Sequence, residues 1–126
     1  MSLETDFAMT RESLKGVQDE STYGGITSFM RRRYSRDLSG VDVAVLGVPF
    51  DLATTNRAGT RLGPRGIRTA SASLSWENQV QGWDFSPLEE LALVDYGDCP
   101  FDAGTRDTVP EQIYQQARDI LATDTA

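Results

Sequence analysis

The loop at residues 51–63 carries the first set of side chains that could do chemistry. Its sequence, DLATTNRAGTRLG, supplies a carboxylate, several hydroxyl and amide groups, and two guanidinium groups. Backbone amides near Gly59, and a helix start predicted at Pro64, could favour a bound anion. The loop lacks the Gly-Lys-Ser/Thr ending of a phosphate-binding loop. The alternative is a packed loop whose arginines bind carbonyl groups and carboxylates.

The second set lies at Asp95, Asp98 and Cys99. Two carboxylates at the end of a strand could hold a hard cation, although such a pair more often caps backbone amides or pairs with arginine. Cys99 has no histidine to serve as its base, because the chain contains none. We therefore expect Cys99 to be a small buried hydrophobe.

The missing histidine excludes several classes of active site. Ser-His-Asp catalysis, Cys-His catalysis and histidine-ligated metal sites are impossible within these residues alone. A single cysteine also excludes a zinc site built from several cysteines. What remains is carboxylate chemistry, a carboxylate-bound metal, or no chemistry in this part of the protein.

The amino-acid composition argues against some classes of binding partner. The 126 residues contain 12 Lys+Arg and 19 Asp+Glu, which gives a net charge of −7. This acidic balance argues against binding to nucleic acid or to anionic membranes, and no apolar run approaches the roughly 18 residues of a membrane span. The start lacks the pattern of a secretory signal. One cysteine fits a reducing compartment, so we expect a cytoplasmic protein.

The elements that must position these groups alternate between strands and helices. VDVAVLGVPF, residues 41–50, predicts a strand buried on both faces, and residues 90–98 predict a second strand. A helix is predicted from Pro64, with Ile67, Ala70 or Ser71, and Leu74 on one face. This order favours an α/β fold with a parallel sheet.

A further helix is predicted after Thr108. The spacing Thr108-x-x-Glu111 is a capping-box signature, and the helix that follows has one apolar face: Val109, Ile113, Ala117, Ile120 and Leu121. In the linker between the first helix and the second strand, Trp83 and Phe85 are expected to pack inward as plugs.

Residues 1–40 are interpreted as an irregular arm, and residues 41–126 as part of one α/β domain. The arm holds an arginine cluster, Arg31, Arg32, Arg33 and Arg36, which is either a solvated, carboxylate-paired surface or a contact between subunits. We expect no sheet element from the arm. Two strands cannot form a stable sheet by themselves, so the sequence predicts the opening segment of a larger α/β domain.

Residues 47–68 carry a long spaced motif: Gly47-Val48-Pro49-Phe50-Asp51, then Arg57-Ala58-Gly59-Thr60-Arg61-Leu62-Gly63-Pro64-Arg65-Gly66-Ile67-Arg68. This motif resembles the ureohydrolase family, in its agmatinase-like branch. Further similar landmarks are Phe29-Met30-Arg31-Arg32, Leu74-Ser75-Trp76-Glu77 and Val94-Asp95-Tyr96-Gly97-Asp98. The similarity extends from about Tyr23 to Ala122.

The resemblance implies a three-layer α/β/α arginase-like fold, of which this chain would be the opening βα units. It also implies hydrolysis of a guanidino compound to urea and an amine at a centre of two Mn²⁺ ions, and assembly into trimers or hexamers. A binuclear centre suits this reaction because two cations lower the pKa of a bridging water.

The departure from the family concerns the reactive centre. The family's metal ligands lie in Gly-Gly-Asp-His, Asp-Ala-His-x-Asp and Asp-x-Asp motifs, and none of these occurs here. No catalytic or metal-binding residue is therefore carried over. For the 51–61 loop the resemblance implies a place near the rim of the active site, with Thr55, Asn56 and Arg57 as candidates that shape substrate access. Arg57 could instead brace the loop.

Two functions remain at this stage. The first is the N-terminal part of an agmatinase-like, Mn²⁺-dependent hydrolase that is inactive as an isolated segment. The second is a truncated, non-catalytic assembly module that supplies strands and an arm to a partner chain. The sequence leaves the guanidino substrate open among agmatine, guanidinobutyrate, guanidinopropionate and free guanidine.

Overall fold

The computed structural model describes residues 6–17, 20–75 and 81–126. In this part of the chain a three-stranded sheet forms from β1 (Arg33–Tyr34), β2 (Val43–Gly47) and β3 (Leu93–Asp98). Both neighbouring pairs are parallel, and the strand order is β1-β3-β2. The predicted parallel sheet is therefore confirmed, with β3 at its centre.

Four α-helices accompany these strands in the described ranges: α1 (Phe7–Thr10), α2 (Gly63–Ser71), α3 (Pro87–Glu90) and α4 (Val109–Leu121). Short 3₁₀ turns occupy Phe29–Arg31, Thr60–Leu62, Ala72–Leu74 and Arg106–Thr108. Within this part of the molecule, no helix has the length and apolar character needed to cross a membrane.

The first strand and the arm differ from the sequence-based predictions. The arm does add a sheet element, because Arg33 and Tyr34 pair with Val94 and Asp95 of β3. β2 is shorter than predicted, and all five of its residues are only half-buried instead of buried on both faces. The two faces of β2 are therefore only partly covered by other residues.

The predicted helix at Pro64 is confirmed as α2, which begins one residue earlier. Its expected apolar face is not covered, since Ile67 and Leu74 are 59% and 47% exposed. Ser71 and the following Ala72 are the residues buried there. The serine is satisfied because its hydroxyl accepts a hydrogen bond from the Met30 amide (2.8 Å).

The capping box predicted at Thr108 is absent. A 3₁₀ turn precedes α4, so Thr108 already has helical backbone angles, and its hydroxyl donates to the Thr105 carbonyl (2.8 Å) instead of capping. Glu111 accepts a hydrogen bond from Gln115 (2.6 Å). Of the predicted apolar face, Val109 and Ile120 are buried, whereas Leu121 is exposed.

The prediction that two aromatic side chains of the linker pack as plugs was also wrong. Trp83 and Phe85 are each about half exposed and stack on one another with ring centroids 5.1 Å apart, so they cover each other and not the core. Two of the landmark residues, Trp76 and Glu77, lie outside the described residues.

The arginine cluster does not form one surface. Arg31 and Arg32 are 3% and 1% exposed, which excludes a solvated face for them. Arg31 forms an ion pair with Glu20. Arg36 behaves as a surface residue and lies over the Tyr96 ring at 4.3 Å from its centroid. The arm thus folds so that the side chains of Arg31 and Arg32 are buried.

Candidate functional site

Asp51 organises the loop that follows β2. The Asp51 Oδ2 atom accepts hydrogen bonds from the backbone amides of Gly59 (2.7 Å) and Arg61 (3.2 Å), and Oδ1 accepts one from the Arg61 side chain (2.6 Å). The Gly59 hydrogen bond is the main cause that lowers the pKa of Asp51. The amides that were expected to favour a bound anion therefore hold the chain's own carboxylate.

A second carboxylate cluster lies at the end of β3 and is centred on Arg68. The guanidinium binds Asp95 through two hydrogen bonds, Nε to Oδ2 at 2.7 Å and Nη2 to Oδ1 at 2.9 Å. Its third nitrogen, Nη1, donates to Asp98 Oδ1 at 2.7 Å. Because α2 carries Arg68 and β3 carries both acids, this brace locks the helix to the central strand.

Backbone groups complete the coordination of Asp95. The amides of Phe29 (2.7 Å) and Gly97 (2.9 Å) donate to its carboxylate, whose side chain is 0% exposed. Burial alone would raise the pKa of Asp95, but the hydrogen bonds from Arg68, Phe29 and Gly97 hold it below the ordinary value. The Asp95 hydrogen bonds in turn raise the pKa of Arg68. Both groups are ionised at neutral pH.

Two glycines make room for this brace. A Cβ atom on Gly47 would collide with the Asp98 carboxylate and would lie 2.9 Å from Pro64 Cβ, so β2 can approach α2 only without a side chain there. Gly97 has φ of +84°, a left-handed conformation that glycine adopts without strain. A Cβ on Gly97 would collide with the Tyr34 hydroxyl.

The predicted rim residues Thr55, Asn56 and Arg57 are exposed in the loop after β2. In the part of the chain that the structure describes, none of their side chains makes a hydrogen bond or an ion pair. The loop brace is Arg61, which is joined to Asp51, and it is not Arg57. The three residues are available for contact with a ligand, and their role stays a prediction.

Cys99 is the buried residue that the sequence predicted. It is 3% exposed, and burial raises the pKa of its thiol. A protonated, covered thiol is a poor nucleophile. We therefore assign Cys99 to packing at the end of β3.

The residues that the structure describes do not fit a binuclear metal centre. Within the described ranges, no group of three or more His, Cys, Asp or Glu side chains could hold a metal ion. The most promising acids, Asp95 and Asp98, already bind Arg68. Of the alternatives to a cation that the sequence left open for this pair, capping of backbone amides and pairing with arginine, Asp95 shows both.

Sequence reasoning did not identify Arg68 or Asp51 as the organising residues. Arg68 lies one helical turn after Pro64, and the two acids follow the next strand, so their meeting depends on how α2 packs on the sheet. The signal that could have found them is the combination of an arginine on the first helix with two acids at the end of the neighbouring parallel strand.

Comparison with known proteins places this geometry in a family. A model of the arginase family matches residues 41–126. The agmatinase of Chromobacterium violaceum is 53% identical over 118 residues, which are 94% of this chain and 36% of that protein. The agmatinase of Photorhabdus laumondii is 37% identical over 120 residues.

The structural comparison agrees. The crystal structure of a hypothetical agmatinase from Burkholderia thailandensis superposes with a TM-score of 0.90 and 50% sequence identity, over 99% of this chain and 39% of that one. The chain spans little more than a third of the length of the relatives it matches. The sheet is that of an arginase-like α/β fold, and the chain belongs to the arginase family.

Proposed function

We propose that these residues form the N-terminal portion of an agmatinase-like hydrolase that releases urea from a guanidino compound. The observation that carries the proposal is the 53% identity to an agmatinase across almost the whole chain, together with the motif from Gly47 to Arg68. Family membership implies a binuclear metal centre, for which we propose two Mn²⁺ ions. We propose that their ligands lie elsewhere, since the described residues contain no group of three or more His, Cys, Asp or Glu side chains that could hold a metal ion.

The contribution of this chain to such an enzyme is positional. The brace from Arg68 to Asp95 and Asp98 fixes α2 against β3, and the Asp51 hydrogen bonds fix the loop between β2 and α2. The loop lies beyond the carboxyl end of β2, and Asp98 of the brace is the last residue of β3, so both border the edge where ligands of open α/β sheets collect. A rigid edge at this position would hold the rim of an active site built mainly by other residues.

We assign Thr55, Asn56 and Arg57 to that rim. An exposed guanidinium repels a cationic substrate end and attracts an anionic one, so Arg57 favours guanidino acids over agmatine. The test uses this chain joined to the unmatched part of the Chromobacterium relative. In that fusion, Arg57→Ala should raise KM for guanidinobutyrate severalfold and should leave KM for agmatine unchanged or lower it. Arg65→Ala, an exposed arginine on α2, is the matched control. An equal effect of Arg57→Ala on both substrates would exclude this role.

The activity is tested by completing the chain. Residues 1–126 are joined to the part of the Chromobacterium relative that they do not match, and urea is measured with agmatine, guanidinobutyrate, guanidinopropionate and guanidine, with and without Mn²⁺. We expect Mn²⁺-dependent urea release from at least one of these substrates. A folded fusion that releases no urea from any of them would contradict the proposal and favour the assembly module.

We also propose that the completed protein is cytoplasmic and assembles into a trimer or hexamer. The arm supports a role in assembly, since exposed Arg33 and Tyr23 lie on it. Sedimentation of the fusion should give three or six copies, and a monomer would contradict this part of the proposal.

A further inference from the structure

The tip of the loop after β2, residues 55–58, has no hydrogen bonds that hold it in place. In the part of the chain that the structure describes, neither the backbone nor the side chains of these four residues form one. All four residues are exposed, so burial against the fold does not fix them either. The position of the tip is therefore set by the two flanks of the loop.

One side chain joins these flanks. Asp51 lies at the start of the loop, and its side chain is 0% exposed. It accepts hydrogen bonds from the Gly59 amide at 2.7 Å and from the Arg61 amide at 3.2 Å, both at the far end of the loop. Hydrogen bonds to an ionised carboxylate are stronger than those between neutral groups. A single carboxylate thus closes the loop beneath its exposed tip.

The flanks themselves are anchored separately. Phe50, directly before Asp51, packs edge-to-face on Phe101 with ring centroids 5.8 Å apart. At the far end, Gly59 has φ of +141°, which residues with a side chain rarely adopt, although a Cβ there would meet nothing within 4 Å. Replacing Gly59 by alanine would therefore disturb the closure through the backbone, with no collision and no change of charge.

The same carboxylate decides which arginine of the loop keeps a free charge. Arg61 is paired with Asp51 at 2.6 Å. Arg57 at the tip has no acidic partner in the described ranges. The free positive charge of the loop therefore lies on the segment whose position depends on Asp51.

We propose that Asp51 is a positioning residue for substrate selectivity, which closes the loop so that Arg57 meets the carboxylate of a guanidino acid. This inference deepens the proposed function and rests on it. The direction of the effect separates positioning from charge. Removing the Asp51 carboxylate takes a negative charge from the loop and frees Arg61, so charge alone would strengthen the preference for an anionic substrate. Loss of positioning weakens that preference.

The first measurement does not depend on turnover. Amide hydrogen exchange at Gly59 is followed in the fusion of this chain with the unmatched part of the Chromobacterium relative. Asp51→Ala should speed this exchange about tenfold or more, because the amide loses a charged acceptor. Asp37→Ala is the control, since exposed Asp37 also accepts a backbone hydrogen bond, from the Ser39 amide at 3.0 Å. Unchanged Gly59 exchange in Asp51→Ala would overturn the proposal.

The second measurement is the selectivity ratio, which is kcat/KM for guanidinobutyrate divided by kcat/KM for agmatine. Asp51→Ala should lower this ratio about threefold or more through a higher KM for guanidinobutyrate, and should lower it no further when combined with Arg57→Ala. Gly59→Ala should lower the ratio in the same way, and it replaces Asp51→Ala if that variant does not fold. A ratio that rises or stays constant would overturn the proposal, as would an equal fall in the Arg57→Ala background.

The two measurements distinguish this inference from the proposed function. A folded parent fusion that releases no urea would contradict the proposed function, and the selectivity role would fall with it. A parent fusion that releases urea with a ratio insensitive to Asp51→Ala and Gly59→Ala would overturn the role of Asp51 alone.

Discussion

Two arginine clusters in this molecule use buried guanidinium groups in opposite ways. At the end of β3, Arg68 meets two carboxylates, and its pKa is raised. In the arm, the pKa of Arg32 is lowered to about 10, mainly by burial and then by the charge of nearby Arg11, while Glu89 opposes the shift. Arg11 and Arg32 both donate to the Gly16 carbonyl instead of a carboxylate, unlike Arg31, which is paired with Glu20.

The difference lies in how completely each charge is compensated. Every nitrogen of Arg68 that can donate outward has a carboxylate oxygen within 2.9 Å. Arg11 is 3% exposed, yet its Nε and Nη1 atoms have no hydrogen-bond partner among the residues that the structure describes. A buried charge is costly unless it is paired. The charge of Arg68 is therefore fully paired, whereas that of Arg11, beside Arg32 in the arm, is only partly compensated.

The largest effect is expected at the brace. Arg68→Met leaves Asp95 buried without its ion partner, and breaking such a pair costs about 3–5 kcal/mol of unfolding free energy. Denaturant titration of the fusion measures the loss. Arg65→Met, on the exposed side of the same helix, is the control and should change stability by less than about 0.5 kcal/mol. Equal small losses in both variants would show that Arg68 does not hold α2 to the sheet.

Acid should also weaken the brace. The loss of unfolding free energy should be smaller than in Arg68→Met, because Arg68 keeps its ion pair with Asp98 when Asp95 is protonated. The folded-state pKa of Asp95 lies below its ordinary value. Its contribution is therefore complete above the unfolded pKa, near pH 4, and is lost as the pH falls through the folded pKa. Unfolding free energy measured from pH 6 to pH 2 should fall less steeply in Asp95→Asn than in the parent. Identical slopes would contradict a depressed pKa.

Gly97 tests the backbone side of the brace, since its amide donates to Asp95. Gly97→Ala should cost about 1–2 kcal/mol for the left-handed backbone alone, plus the collision with Tyr34. The Tyr34→Ala background should remove only the second part. Gly66→Ala, inside α2 with nothing near its Cβ position, should instead stabilise by about 0.5–1 kcal/mol. If Gly97→Ala left the unfolding free energy unchanged, the left-handed backbone at Gly97 would not be needed.

The smallest effect is expected in the arm. Arg11→Met removes a buried charge that is only partly compensated and keeps a similar side-chain volume, so the lost Gly16 hydrogen bond is largely offset. We expect a change below about 1 kcal/mol in either direction, by the same denaturant titration. A loss as large as that of Arg68→Met would erase the contrast between the two clusters.

This contrast also shows how far the sequence alone could lead. Strand β3, helix α2 and the parallel sheet were predictable because apolar runs and Pro64 mark them locally. The pairing of Asp95 with an arginine was also expected. The short strand at Arg33 and Tyr34 was missed, because two residues carry no periodicity and their pairing depends on β3.

The burial of Arg31 and Arg32 was missed for a related reason. A run of arginines normally faces water, and only the folded arm shows that Glu20 and backbone carbonyls replace the solvent. The capping box failed because a 3₁₀ turn moved Thr108 into the helix. At the site, the sequence identified the loop but not Asp51 or Arg68 as its anchors.

The most direct test of the central claim is urea release from agmatine by the purified 126-residue chain in the presence of Mn²⁺. We predict no urea above the protein-free control, because under the proposed function the reactive centre is supplied by residues outside this chain. Sustained turnover by a preparation of intact mass 13.9 kDa would contradict that claim.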